Sequence, residues 1–114
     1  MDISFNNKKL EKECNEEKSL VRRHGPKRAR LIMRRLTQIR AAKCLADLGP
    51  PYKGQGRCHE LHGNRKGQFS IDLDHPYRLI FQSAHNPVPV NKGGGIDWLQ
   101  VSTIEILGVE DTHE

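Results

Sequence analysis

No apolar run in this 114-residue sequence approaches the length that spans a bilayer, and no signal-peptide pattern opens it. The expectation is a cytoplasmic chain with no membrane contact. Aromatic residues are scarce, at 5% of the total against 35% hydrophobic and 29% charged, so the core must be modest and the surface wet. The three cysteines (Cys14, Cys44 and Cys58) are an odd number without metal-ligand spacing, which argues for reduced thiols over a disulfide framework. Cys14 and Cys44 read as small core residues on helix faces. Internal repeats and linker-like stretches are also missing, so residues 1–114 read as one domain. Acids are absent from Arg22 to Lys43, where nine Lys or Arg residues occur. Subtracting those nine from the net charge of +5 leaves about −4 for the rest. Such a block points to a polyanion or an acidic protein partner, and a solvated helix face explains it equally.

The stretch from Arg57 to Phe81 carries the clearest pattern. Phe69, Ile71 and Leu73 alternate with Gln68, Ser70 and Asp72, and Tyr77, Leu79 and Phe81 repeat the alternation with Arg78 facing the other way. Gly63-Asn64 and Gly67 mark one turn, and Asp74-His75-Pro76 marks the next. Upstream, Asp2–Phe5 predicts a short strand, with Asn6 or Asn7 capping a helix that carries Leu10, Cys14, Glu17 and Val21. Gly25-Pro26 predicts a joint, followed by a second helix from about Pro26 to Leu48. Its apolar stripe is Ala29, Ile32, Leu36 and Ile39, widened by Met33 and Ala46, with Arg28, Arg30, Arg34, Arg35 and Arg40 on the flanks. Leu48-Gly49-Pro50-Pro51 stops it, and Tyr52 to Gly56 forms a loop. Ser83 to Gly95, with two prolines and three glycines, reads as a mobile hairpin extension. Ile96 to Val109 is β-prone again. The expected fold is α+β: an N-terminal strand, a two-helix hairpin, then a twisted, mainly antiparallel sheet.

In that order of elements the chain resembles the RelE/ParE superfamily of toxins from toxin–antitoxin systems, and within it the HigB-like plasmid-maintenance killer proteins. The residues that carry the resemblance are Arg57-x-His59-x-Leu61-x-Gly63-x-Arg65-x-Gly67, then Ser70-Ile71, the pair Tyr77-Arg78, and Glu110-Asp111-x-His113. The resemblance implies an endoribonuclease that cuts messenger RNA on the ribosome without metal or cofactor. It also implies a cognate helix-turn-helix, HigA-like antitoxin, through which the pair would reach operator DNA. His59 and His113 match catalytic positions of the family. Thr112 stands where that branch commonly has tyrosine.

The residue types suit the implied chemistry. Attack by a ribose 2′-hydroxyl needs a proton acceptor, a proton donor and positive charge on the phosphate. His59, Asp111 and His113 can move protons, and which one is the base stays open. Arg65 and Arg78 can grip phosphate oxygens through the guanidinium fork. Arg78, a cation within an apolar strand, needs a partner or a purpose. Lys66, Arg28, Arg34, Arg35 and Arg40 are expected to hold RNA or ribosomal backbone. His62, His75 and His85 read as surface residues, and Tyr77 and Trp98 as packing. Two other readings stay open: a ParE-like toxin that acts on DNA gyrase by binding, and a non-catalytic module that binds antitoxin or RNA.

Overall fold

The computed structural model describes residues 1–49 and 56–111. Asn7 opens the first helix, α1 (Lys8–Asn15), by accepting from the Leu10 amide at 2.8 Å. A second helix, α2, spans Glu17–Ala41. The joint expected at Gly25-Pro26 is therefore one of two interruptions. At Glu16 the backbone turns extended (φ −127°, ψ 110°), and at Gly25 it takes φ +83°, a value that favours glycine. The break at Glu16 has a packing reason. An unbroken helix would carry Glu17 on the stripe of Leu10 and Cys14, whereas the break leaves Glu17 exposed and buries Leu20.

The helix ends at Ala41, short of the expected Leu48, because tertiary partners take over the backbone donors. The Leu45 amide donates to Val101 O at 2.9 Å and that of Ala46 to Trp98 O at 3.1 Å. The Asp47 carboxylate accepts from the Lys43 and Cys44 amides. Leu45–Asp47 becomes a single 3-10 turn with Leu45 fully buried. Cys44 flanks that turn instead of lying on a helix face, and the buried cysteine is Cys58, whose thiol burial pushes up to about 12. The Pro50–Gln55 part of the expected stop and loop lies outside the described residues.

Five strands form one sheet in the order β1-β5-β4-β3-β2: β1 (Asp2–Phe5), β2 (His59–Glu60), β3 (Gln68–Asp72), β4 (Tyr77–Ser83) and β5 (Thr103–Asp111). β1 runs parallel to β5, and the other pairings are antiparallel. The α+β architecture is as the sequence predicts. Gly63 and Gly67 have positive φ in the β2–β3 connection. The Tyr77 amide closes the Asp74–Tyr77 turn by donating to Asp74 O at 2.7 Å. The extension after Ser83 folds into a closed arm, in which Val90 bridges Ile96 and the Asn91 amide donates to Gly95 O.

Helix α2 packs its Ala29, Ile32, Leu36 and Ile39 stripe on the Phe69, Ile71, Leu79, Phe81, Ile104 and Ile106 face of the sheet. Phe69 stacks on Phe81 at 5.6 Å between centroids and receives Trp98 edge-on at 5.0 Å, so Trp98 is a packing residue. Two assignments on α2 are corrected, Met33 on the apolar stripe and Arg35 on the flank. Met33 is exposed, while Arg35 is 5% exposed, because position 35 lies within the same stripe as Ile32, Leu36 and Ile39. Its guanidinium donates to Asp72 O at 2.7 Å and to Gln38 Oε1 at 3.1 Å, so it is a core tie and faces no RNA. Arg28 is likewise engaged: it forks onto Asp74 at 3.0 and 3.2 Å and lies 3.4 Å over the Tyr77 ring. Among the described residues no helix is long and apolar enough to cross a membrane.

The Arg28 fork holds the Asp74 carboxyl below its ordinary value. A depressed folded pKa contributes stability above the unfolded value of about 3.9, and that stability is lost as pH falls through the folded value. Asp74→Asn is expected to lower stability by about 1 kcal/mol at pH 7. The gap from wild type should close below about pH 4, as measured by urea titration across pH. A gap of constant size down to pH 2 would contradict the pair.

Candidate functional site

The sheet face turned away from α2 carries two adjacent cross-strand rows. Register places His59 beside Ser70, Ser70 beside Ile80, and Ile80 beside Gly108; the next row is Asp72, Arg78 and Glu110. Cross-strand partners share a face, so His59 and Arg78 project from the same side. They meet Arg65, Leu61 and His62 around one open cavity of about 470 Å³.

His59 is held at both ring nitrogens. Nδ1 lies 3.0 Å from the Arg57 carbonyl oxygen, and Nε2 lies 3.4 Å from Ser70 Oγ. A carbonyl oxygen only accepts, so Nδ1 carries a proton, and in the neutral ring Nε2 then holds the lone pair. Ser70, expected on the polar face, is on it but fully buried.

The two cavity arginines differ in how far they are committed. Arg65 donates to both Glu110 oxygens at 2.7 and 2.8 Å, and to Gln68 Oε1 at 2.9 and 2.7 Å. Glu110 raises the Arg65 pKa, and Arg65 holds the Glu110 carboxyl below its ordinary value. Arg78 makes one charge contact among the described residues, Nε to Asp72 Oδ1 at 3.3 Å. That oxygen is buried without a hydrogen bond, so the contact is an ion pair and not a fork. Among the described residues the terminal nitrogens of Arg78 make no hydrogen bond that would compete with a phosphate.

A family model described as the RelE-like toxin of the type II toxin–antitoxin system HigB matches residues 3–92. The chain belongs to the HigB-like toxin family. The toxin is also similar in fold to two solved structures from Staphylococcus aureus. One is the YoeB–YefM complex, at 18% identity and a TM-score of 0.55, covering 100% of this chain and 98% of that one. The other is the YoeB dimer, at 19% identity, the same TM-score and the same coverage. No curated protein sequence matches the toxin.

The remaining sequence candidates divide. Lys66, Arg34 and Arg40 are exposed, as surface contacts require. Asp111 is the register partner of Tyr77, which faces α2, so it stands on the side opposite Arg78 and is not a cavity-lining residue. It also lies beyond the family match, as does His113. His113 and Thr112 fall outside the described residues. His85 accepts from the Ser102 amide at 2.9 Å and fastens the arm.

Sequence reasoning gave no role to Arg57, Asp72 or Glu110. Asp72 and Glu110 sit one strand to either side of Arg78, and an acid placed in register with a strand cation was the available signal. Glu110→Gln should leave Arg65 charged without its carboxylate. The affinity for a short, uncleavable RNA should then rise, and the slope of log affinity against log salt should steepen by about 0.7 to 0.9, one phosphate contact. An unchanged slope in an anisotropy titration would keep Arg65 out of phosphate binding.

Proposed function

We propose that this toxin is a ribosome-dependent endoribonuclease that cuts translated messenger RNA. The observation that carries the reading is the shared cavity of His59 and Arg78 on one sheet face. The Nε2 lone pair of His59 takes the proton from a ribose 2′-hydroxyl, which attacks the adjacent phosphorus. Arg78 bears on the phosphate oxygens as charge builds there. Arg65, already neutralised by Glu110, shapes the wall and contributes charge when that pair opens. His113 is the proposed proton donor for the leaving 5′-oxygen; Asp111, on the opposite side of the sheet from Arg78, is not assigned that step. The reaction uses the protein's own acid–base groups and no cofactor.

The exposed cations Arg34 and Arg40 on α2, with Lys66 in the β2–β3 turn, are proposed to grip ribosomal or messenger backbone. A HigA-like helix-turn-helix antitoxin is the proposed partner, with operator DNA reached only through it and the cytoplasm as the place of action. Support comes from the family description and from a structural neighbour recorded in complex with a second protein, YefM. A gyrase-directed activity needs no acid–base group, and the His59–Arg78 cavity favours the nuclease.

His59→Ala and Arg78→Ala are each expected to slow cleavage on translating ribosomes by about 100-fold or more, with thermal midpoints within a few degrees of wild type. Wild-type cutting rates in folded His59→Ala would remove His59 from the chemistry. The same result for Arg78→Ala would remove the phosphate grip.

A further inference from the structure

We infer that Arg57 and Asp72 form a clamp that fixes His59 as the Nδ1–H tautomer and so keeps Nε2 as the acceptor. Arg57 is a non-glycine residue with φ +50°, a conformation that costs an L-residue energy and needs support from its surroundings. Its carbonyl, turned by that conformation, is the acceptor for His59 Nδ1 at 3.0 Å.

Asp72 supplies the support through three of its groups. Its amide donates to Gly56 O at 2.7 Å, and Oδ2 accepts from Arg57 Nε at 2.5 Å. Its carbonyl accepts from the buried Arg35, which ties the same residue to α2. The 56–57 segment thus hangs on β3 by one backbone and one side-chain bond, two residues before the imidazole. The fit at Gly56 is close: a Cβ there would stand 2.3 Å from Ile71 Cγ1, so the segment lies flush on the strand. The hydroxyl of the fully buried Ser70 lies 3.4 Å from Nε2.

Arg57 and Asp72 are positioning residues, because they act on the reaction through His59. Without the clamp the strained turn relaxes, its carbonyl swings away, and the imidazole is released to the mixture of tautomers found in a free ring, where Nε2–H predominates. That tautomer presents a donor where the 2′-hydroxyl needs an acceptor. The catalytic consequence rests on the nuclease reading above; the tautomer does not.

The test is histidine-ring ¹⁵N NMR on the whole protein, combined with cleavage kinetics. The neutral ring of wild-type His59 should show a protonated Nδ1 and an unprotonated Nε2. Arg57→Ala should shift the ring toward Nε2–H and lower kcat about 10- to 100-fold with little change in KM. Arg57→Gly, which adopts the positive φ without strain, should keep more of the Nδ1–H ring than Arg57→Ala. Asp72→Asn, which keeps both backbone bonds, should shift the tautomer in the same direction as Arg57→Ala. Wild-type His59 found as Nε2–H would overturn the proposal, and so would Arg57→Ala with an unchanged tautomer. An inactive wild type with the Nδ1–H ring intact would uphold the clamp and sink the nuclease reading, so the two failures are told apart.

Discussion

Three guanidinium groups reach Asp72 from three directions, and the arrangement of the site follows from that convergence. Arg35 comes from inside α2 to the Asp72 carbonyl, Arg57 from the segment before β2 to Oδ2, and Arg78 from the neighbouring strand to Oδ1. One residue at the end of β3 therefore couples the helix layer, the segment that carries His59 and the strand that carries Arg78. A carboxylate with 18% side-chain exposure is costly to bury alone, and three cations around it are what make the position tolerable. The same pairing restrains Arg78 without saturating its donors.

The opposite choice is visible one row further on. Arg65 and Glu110 form a fork with every carboxylate oxygen engaged, and Gln68 adds two more bonds. A guanidinium committed in this way gains little from a passing phosphate, because it must first give up a partner of like charge and geometry. Arg78, with a single contact at 3.3 Å, has little to give up. Two arginines of equal promise in the sequence are thereby separated by their carboxylate neighbours.

Much of the architecture was legible because it depends on local pattern. Alternation over residues 68–82, the turn glycines at 63 and 67, and the Asn7 cap each follow from the period or turn chemistry of a short window. Helix boundaries were not legible. Glu16 breaks the chain to keep Glu17 in water, and Ala41 ends α2 because Val101 and Trp98 offer carbonyls to Leu45 and Ala46 from far downstream. Arg35 was misplaced because charge was allowed to outweigh phase; its spacing from Ile32 and Ile39 already put it in the core stripe. At the site, His59, Arg65 and Arg78 were readable as types at fixed offsets. Which arginine stays available, and what turns the imidazole, depends on acids brought into register from other strands.

The central claim is that the His59–Arg78 cavity cuts messenger RNA during translation. The most direct measurement maps transcript ends after induced expression, on a reporter message with its start codon and on the same message without it. The account predicts new ends confined to the reading frame of the translated message and absent from the untranslated one. Ends that appear equally in both messages, or no ends at all alongside gyrase-linked DNA breaks, would contradict it.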